Sequence, residues 1–325
     1  MPAAMITGIT GQDGSYLAEL LLAHGYSVIG VVRQRPDARH GRLAHLLSKV
    51  ELVVADLLDG AELRALVERH RPVEIYNLAG RASSKQLFDD PVSTAEYNAV
   101  AVVRLLEAVR QVDSRIRFCQ ASSSEIFGLC RESPQTEDTP FHPRNPYGVA
   151  KLCGHWYTVN YREAHGIFAS SAILYNHESP RRGPEFVTRR ISQAVARIKR
   201  GLQHDLRLGD LEARRDWGYA ADYVRAMWQM LQAPVPDDFI IATGQAHSVR
   251  EFCELAFRCV ALNYEDYVVV DSTNRRPADA VQLVGDSHKA RRVLGWTPTI
   301  TFEELVTMMV EADCKALGSD GEIAP

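Results

Sequence analysis

The sequence predicts an α/β fold, a doubly wound parallel sheet with a smaller, interleaved C-terminal domain. Short apolar runs of strand length alternate with longer helical patterns over residues 1–175, as a parallel sheet covered by helices on both faces requires. From about residue 184 this alternation loosens, although no low-complexity linker divides the chain. We therefore expect residues 1–175 to form the sheet domain, with a returning segment near 213–245. Residues 176–325 should form mainly a substrate-binding domain.

The composition sets the broad class of protein. The 325 residues are 46% hydrophobic and 24% charged, which is ordinary for a globular protein. A formal net charge of −4 without a long charge run gives no electrostatic case for binding nucleic acid. We find no secretory pattern at the amino terminus and no membrane-spanning run, so we expect a cytoplasmic protein without membrane contact. The six cysteines are scattered along the sequence, so we expect them to be free thiols. They form no cluster with histidines, so we expect no metal site.

The first predicted strand, residues 3–8, runs into a glycine-rich turn. A helix follows over Ser15–His24, with Gly25 as its C-terminal stop. Glycines at a strand–turn–helix junction let a pyrophosphate approach the backbone, and the helix N-terminus directs N–H groups at the anion. This turn therefore predicts dinucleotide binding, and its candidate cofactor-binding residues are Gly8, Thr10, Gly11, Gln12, Asp13 and Gly14.

The end of the second strand, Ser27–Val32, bears on which cofactor is bound. Basic residues Arg33 and Arg35 follow the strand, and no acid appears before Asp37. An NAD site usually places an acidic residue here for the ribose hydroxyls, whereas basic residues suit the 2′-phosphate of NADP. We therefore predict NADP, the alternative being a solvated basic loop.

The third and fourth strands end beside the same crevice. The third, Val50–Ala55, precedes Asp56 and Leu57, which are candidate contacts on the adenine side. The fourth, Val73–Leu78, leads into a further cofactor-binding segment comprising Leu78, Ala79 and Gly80. Ligands of such sheets bind outside the carboxyl ends of the strands.

The candidate catalytic groups follow. A helix is predicted over residues 95–110, and the strand Arg117–Ala121 ends in Ser122-Ser123-Ser124-Glu125. We expect Ser123 and Glu125, two apart on an extended strand end, to point the same way.

Tyr147 and Lys151 lie four residues apart on a helix that Pro146 begins, so they share one face. A nearby ammonium should lower the pKa of the phenol and make Tyr147 a base for an alcohol proton. The pattern alone is also compatible with an ordinary amphipathic helix.

Beyond a strand at Ile167–Tyr175, the polar run Asn176–Gly183 suits binding better than packing. Helices are predicted over Thr188–Gly201, Asp222–Leu231, Val249–Val260 and Phe302–Leu317, with a returning strand over Asp238–Thr243.

Together these segments resemble the extended short-chain dehydrogenase/reductase family, whose nucleotide-binding domain is Rossmann-like. Within it they are similar to the GDP-mannose 4,6-dehydratase branch. The resemblance runs from the first strand to about residue 298, and its most specific part surrounds His177 and Pro180. Other matching segments are Thr7–Ala18, Gln120–Ser122, Tyr147–Leu152, Val159–Glu163, Phe186–Arg189, Arg215–Gly218 and Arg276–Ala278.

The resemblance implies a role for each candidate residue. Tyr147 would deprotonate the sugar 4-hydroxyl, and Lys151 would hold the nicotinamide ribose. Glu125 would remove the C5 proton, and Ser123 would assist loss of water from C6. A tightly held NADP would shuttle the hydride, with His177 and Arg182 added to the cofactor site. The implied nucleotide-sugar site comprises Ser83, Ser123, Asn176, Val187, Arg190, Arg215, Arg276 and Asp279, in a homodimer or homotetramer.

The sequence also departs from this family. Ser123 stands where the family has Thr, Ala82 replaces a serine that meets nicotinamide and sugar, and Asp279 replaces a Glu. Three alternatives stay open: a 4-reductase or epimerase on the same scaffold, a dehydratase of a different GDP-hexose, and a non-catalytic NADP-binding regulatory protein. The last of these predicts damage to the acid–base residues, and the sequence shows none. Glu125 favours a dehydratase, because a reductase or epimerase needs no base for C5.

Overall fold

A computed structural model describes residues 1–35, 41–82, 90–271 and 282–319 of the chain. Its strands are β1 (Ala3–Thr7), β2 (Ser27–Val32), β3 (Glu51–Val54), β4 (Glu74–Asn77), β5 (Arg117–Ala121), β6 (Ala169–Leu174), β7 (Asn176–Glu178), β8 (Leu206–Leu208), β9 (Arg214–Tyr219), β10 (Phe239–Ile241), β11 (Ala246–Ser248) and β12 (Val268–Val270).

The helices are α1 (Gln12–Ala23), α2 (Gly60–His70), α3 (Pro91–Ala95), α4 (Ala101–Val112), α5 (Pro146–His165), α6 (Val187–Lys199), α7 (Ala220–Gln232), α8 (Val249–Arg258), α9 (His288–Leu294) and α10 (Phe302–Ser319). No helix in the described parts of the chain combines the length and apolarity needed to cross a bilayer.

The central sheet confirms the predicted doubly wound architecture. Seven parallel strands lie in the order β10-β6-β5-β4-β1-β2-β3, and β10 pairs with β6 as the expected returning strand. The strand order reverses between β1 and β4, where Met5 of β1 is in register with Ile75 of β4 and Ile29 of β2. This topological switch point opens the crevice in which such sheets bind ligands.

The two faces of the sheet bury different helices. Ile6 of β1 packs in a cluster with Leu17 of α1 and Met227 of α7, and all three side chains are fully buried. Met5, the next residue along β1, faces the opposite side and packs in a cluster with residues of α2 and α4. Alternation of side chains along a strand explains this division.

The later part of the chain has its own apolar cluster, which unites α6, α8 and α10 around Trp217 of β9. Strands β11, β9 and β7 form a separate three-stranded sheet beside it. Because β7 follows β6 directly, this smaller sheet lies next to the carboxyl ends of the main strands.

Several element bounds differ from the predicted ones, and two differences concern the site. Helix α1 begins at Gln12 rather than Ser15, because Gly11 already has the extended backbone of an N-cap. Where one helix was predicted over residues 95–110, the observed helical segment extends from Pro91 to Val112. A π-helical turn over Glu96–Val100 separates α3 from α4 within it. Such turns are frequent at functional sites.

Candidate active site

The turn between β1 and α1 is built for close approach of a ligand. Gly8 has a φ of +72°, and a Cβ there would lie 2.8 Å from the nitrogen of Ala79. At Gly14 a Cβ would lie 2.3 Å from the carbonyl oxygen of Gly8, so this glycine lets α1 pack on the turn. The first N–H groups of α1 have no side-chain cap at Gly11. Such free N–H groups at a helix N-terminus are suited to a pyrophosphate.

Unsatisfied polar atoms lie at neighbouring strand ends. Within the described residues, the buried Ser122 Oγ and Asn98 Oδ1 have no hydrogen-bond partner. A Cβ on Gly80 would lie only 2.4 Å from Asn98 Oδ1, which places this amide beside the end of β4. The turn over Gly8–Gly14, here called the cradle, and these unpaired atoms beyond β4 and β5 would fit a dinucleotide cofactor. No described group of His, Cys, Asp and Glu residues is arranged to hold a metal ion.

A ladder of buried side chains ties these strand ends together. Thr7 donates to Asn77 Oδ1 at 2.6 Å, and Asn77 Nδ2 donates to Gln120 Oε1 at 2.7 Å. Gln120 Nε2 and Lys151 Nζ both donate to the carbonyl of Ala121, at 2.9 and 2.8 Å. The ladder thereby holds the ammonium of α5 against the end of β5.

Tyr147 and Lys151 share one face of α5 as predicted, but the expected effect of the lysine on the tyrosine pKa is wrong. Burial, which removes water from around the phenol, raises the pKa of Tyr147 to about 12, although a hydrogen bond with the Ser123 side chain opposes the shift. Burial also lowers the pKa of Lys151 to about 8. The ammonium lies 5.6 Å from the centre of the Tyr147 ring and bonds to the backbone of Ala121. Desolvation by burial is therefore the largest cause of both shifts.

Ser123 and Glu125 are brought together by a turn and not by strand alternation. Strand β5 ends at Ala121, and Ser123 caps the 3-10 turn Ser124–Ile126 by accepting from the Glu125 N–H at 3.2 Å. The Glu125 carboxylate accepts from Asn145 Nδ2 at 2.8 Å. Glu125 raises and Ser123 lowers the pKa of Tyr147, so the three groups interact at one site.

The segment after β6 is fastened to the first turn of α1. His177 Nε2 lies 2.8 Å from Asp13 Oδ2, and its Nδ1 lies 2.7 Å from the carbonyl of Tyr175. Gln12 donates to the carbonyl of His177 and accepts from Ser179. Burial opposes charge on both partners, but their mutual attraction prevails, lowering the pKa of Asp13 and raising that of His177. The charged pair of Asp13 and His177 thus joins the first turn of α1 to the segment that follows β6.

Arg182 lies in the same cluster. Its Nε is 3.2 Å from Glu178 Oε2, an ion-pair distance without hydrogen-bond alignment, and its guanidinium lies 3.5 Å from the centre of the Phe186 ring. The positive charge of Arg182 lowers the pKa of both Tyr147 and Asp13. Arg182 is therefore within electrostatic range of both the tyrosine and the first turn of α1.

The candidates that follow the second and third strands are exposed except for Leu57. Arg33 and Arg35 are exposed, and the Arg33 guanidinium lies 5.7 Å from the centre of the Tyr97 ring. Asp56 is also exposed, whereas the Leu57 side chain is buried, only 5% exposed. Thr10 of the turn is exposed as well.

The structure brings together only some of the candidate residues for binding the nucleotide sugar. Asn176 of β7 is in register with Trp217 of β9, two residues beyond Arg215, so the small sheet brings these two segments together. Val187 begins α6, and the exposed Arg190 donates to the carbonyl of Arg207, away from the catalytic groups. Ser83, Arg276 and Asp279 lie outside the described residues.

Sequence reasoning missed several residues of this site. Asn77 and Asn98 carried no local pattern, although an asparagine within an apolar strand or a helical run signals a buried hydrogen bond. Asn145 precedes a proline at a helix start, the usual position of an N-cap, but its second contact with Glu125 has no signature in the sequence.

Comparison with known proteins agrees with this geometry. A family model described as GDP-mannose 4,6 dehydratase matches residues 5–309. The protein named GDP-mannose 4,6 dehydratase 2 of Arabidopsis thaliana is 50% identical over 322 residues, covering 95% of this chain and 86% of that protein.

Solved structures share the fold over nearly the whole chain. The UDP-glucose 4-epimerase of Thermotoga maritima, solved with UDP-glucose, matches with a TM-score of 0.86 at 25% identity, over 97% of this chain and 99% of that one. The UDP-glucose 4-epimerase of Thermus thermophilus, solved with NAD, matches with a TM-score of 0.84 at 25% identity, over 96% and 98% of the two chains.

Proposed function

The chain belongs to the GDP-mannose 4,6-dehydratase family, and from this premise we propose that it converts GDP-D-mannose to GDP-4-keto-6-deoxy-D-mannose. It is then a nucleotide-sugar 4,6-dehydratase, a hydro-lyase. The convergence of Ser123, Glu125, Tyr147 and Lys151 beside the cofactor cradle carries the proposal. A dehydratase needs two bases, one for an alcohol and one for carbon, and we assign these roles to Tyr147 and Glu125.

The residues divide the chemistry between them. Tyr147 takes the proton of the 4-hydroxyl, and Lys151 holds the ribose beside it. Once C4 is a ketone, the C5 proton is acidic and Glu125 removes it, while Ser123 assists departure of the 6-hydroxyl. The two protons taken by Tyr147 and Glu125 return to the leaving hydroxide and to C5, so that one water is lost. A bound nicotinamide cofactor would supply the hydride acceptor for C4 and the hydride source for C6.

We propose NADP as the cofactor in preference to NAD. The cradle residues, together with Leu78, Ala79 and His177, would hold the dinucleotide. The exposed Arg33 and Arg35, with no acid between them, would meet the 2′-phosphate. Isothermal titration of cofactor-stripped protein should show tighter binding of NADP. Equal affinities, or a preference unchanged by replacing both arginines, would contradict this assignment.

The sugar-nucleotide site is proposed for the small sheet and the start of α6. Asn176, Val187 and Arg215 lie on these elements, and Arg190 is one turn further along α6. The resemblance adds Ser83, Arg276 and Asp279. In this arrangement residues 1–175, with the returning segment near 213–245, bind the cofactor, and residues 176–325 bind mainly substrate.

We also propose a cytoplasmic homo-oligomer, either a dimer or a tetramer. All six cysteines are free thiols, as a reducing compartment would keep them. Helix α5 exposes Val149 by 55% and Trp156 by 53%, seven residues apart on one face. Burial of this strip against a second copy would remove it from water.

Mass spectrometry of reactions with GDP-, UDP-, dTDP- and CDP-sugars tests the function. Without added cofactor, GDP-mannose should yield a product lighter by one water, since the hydride is returned. Stoichiometric consumption of a reduced nicotinamide without water loss would identify a reductase, and isomer formation without mass change would identify an epimerase. Faster water loss from another GDP-hexose would reassign the sugar.

A further inference from the structure

The side chain of Asn145 joins the start of α5 to the proposed C5 base. Its Oδ1 accepts from the N–H of Gly148 at 2.8 Å, which caps the helix. Its Nδ2 donates to Glu125 Oε2, also at 2.8 Å. Asn145 is only 8% exposed, so both contacts lie out of competition with bulk water.

Hydrogen-bond chemistry fixes the orientation of this amide. A backbone N–H can only donate, so the oxygen of Asn145 must face Gly148. The NH₂ group then faces Glu125 and can only donate, which requires the carboxyl oxygen to accept. The Oε2 atom of Glu125 is therefore engaged as an acceptor by a donor of fixed orientation.

The backbone of Asn145 is held as firmly as its side chain. Pro146 occupies the first turn of α5, and the residue before a proline is restricted to extended conformations. Asn145 accordingly has φ −143° and ψ 161°. A Cβ on Gly148 would lie 2.6 Å from the carbonyl oxygen of Glu125, so this glycine lets α5 press against the turn that carries the base. The amide therefore has little freedom to move away from Glu125.

Glu125 is consequently anchored at two points. Its N–H donates to Ser123 Oγ at 3.2 Å, and its Oε2 accepts from Asn145. The hydrogen bond from Asn145 engages Oε2, and the proposed mechanism assigns the substrate proton to the other carboxylate oxygen. Fixing one oxygen of a carboxylate while the other reacts is how a base is held in productive geometry.

We propose that Asn145 is a positioning residue for the removal of the C5 proton, a role separate from its capping of α5. This inference rests on the proposed dehydratase function. Oxidation at C4 depends on Tyr147 and Lys151, so a change that spares the cap should leave that half-reaction intact and slow the second. The first half-reaction therefore serves as an internal control for the fold of the site.

Three variants separate the two roles. Asn145→Asp keeps the shape and the cap acceptor but turns the donor towards Glu125 into a charged acceptor. Asn145→Ser keeps a good N-cap but is too short to span Gly148 and Glu125. Asn145→Ala removes both contacts and reports the cost of losing the cap. Each is mixed with GDP-mannose in deuterium oxide, recording nicotinamide absorbance, deuterium at C5 and the melting temperature.

The Ser variant should oxidise C4 at the wild-type rate and melt at the wild-type temperature. The Asp variant brings a second carboxylate against Glu125, so it should melt at a lower temperature and oxidise C4 more slowly. The Ser variant therefore carries the comparison between the two half-reactions. Deuterium incorporation at C5 should fall by about 10- to 100-fold in both variants, the loss expected from a misplaced catalytic group. In a Glu125→Gln background, Asn145→Ser should add little further loss, because the two residues act on one step.

Wild-type C5 exchange in both the Asp and Ser variants of an active enzyme would overturn this inference alone. If instead both half-reactions lose the same activity, and the losses follow the melting temperature, then Asn145 acts only as the helix cap. That outcome would also overturn the proposed positioning role. A wild-type protein that forms no 4-keto product from any nucleotide sugar would overturn the proposed function, and this inference with it.

Discussion

Tyr147 and Lys151 lie one turn apart on α5, and the same burial acts on them in opposite directions. It raises the pKa of the phenol to about 12 and lowers that of the ammonium to about 8. Both shifts favour the neutral form, because a crowded crevice disfavours charge of either sign. The positive charge of Arg182 opposes the shift at Tyr147 and favours its phenolate.

Tyr147→Phe should nearly abolish turnover without disturbing the fold. The change removes one hydroxyl that a general base requires, and such a base contributes on the order of 10²–10⁴ in rate. Steady-state kinetics measures the loss, while titration with NADP and circular dichroism check that binding and fold persist. Retention of more than about a tenth of the activity, a smaller loss than this range, would remove Tyr147 from the role of base.

Glu125→Gln should keep the first half-reaction and lose the second. Glutamine has nearly the same shape and can still accept from Asn145, but it cannot take a proton at working pH. On mixing with GDP-mannose, the absorbance of reduced nicotinamide should rise and persist, with little dehydrated product. Normal deuterium incorporation at C5 in the folded variant would show that another group removes this proton.

The Asp13–His177 pair should make stability depend on pH. The raised pKa of His177 adds stability that is complete below about pH 6.5, its unfolded pKa, and is lost as pH rises through the folded value. The lowered pKa of Asp13 adds stability present above about pH 4, which is lost as pH falls through its folded value. The pair therefore contributes most between those two limits.

Melting temperatures of the wild type and His177→Gln, compared from about pH 5.5 to about pH 8.5, test this on either side of the unfolded histidine pKa. The difference between the melting temperatures of the two proteins should decrease as pH rises. The exposed His204→Gln serves as the control for losing a surface histidine. A difference that increases with pH would mean that His177 is neutral in the folded protein.

At the scale of elements, the β1–α1 turn offers a matched pair of glycines. Gly8 and Gly25 both have positive φ, +72° and +79°. A Cβ would collide with the backbone of Ala79 at Gly8, but would meet nothing within 4 Å at Gly25. Both alanine variants bear the left-handed backbone cost of about 1–2 kcal/mol, so their difference isolates the collision.

Gly8→Ala should therefore unfold at lower denaturant concentration than Gly25→Ala and should also lose cofactor affinity. Gly25→Ala should bind the dinucleotide as the wild type does, because it lies at the far end of α1. Chemical denaturation and cofactor titration measure the two effects. Equal stability of the variants with unchanged cofactor binding would show that the backbone at Ala79, just after β4, moves to accommodate the added methyl group.

At the scale of the whole molecule, the exposed Val149 and Trp156 of α5 predict where a second copy of the chain binds. Trp156→Glu should shift the mass measured by light scattering towards the monomer, because it would bury a charge in an apolar contact. Leu202→Glu, at a leucine 68% exposed outside α5, should leave the mass unchanged. An unchanged mass in both variants would place the contact elsewhere on the surface.

The sequence by itself determined the parts of this protein that depend on local pattern. The apolar runs and intervening helical periods predicted the doubly wound sheet, and the spacing of Gly8, Gly11 and Gly14 predicted the cradle. The four-residue spacing placed Tyr147 and Lys151 on one helix face. Each of these depends on neighbours within one or two turns or on the pleat of a single strand, so the order of residues is sufficient to find them.

Only the tertiary structure decided how distant segments meet. The ladder from Thr7 through Asn77 to Gln120 joins three strands, and the Asp13–His177 contact spans 164 residues of sequence. The contact between Asn145 and Glu125 depends on how closely α5 packs on the turn after β5. The direction of the Tyr147 pKa was mispredicted for the same reason. It depends on desolvation by the whole fold, whereas the spacing to Lys151 reports only one neighbouring charge.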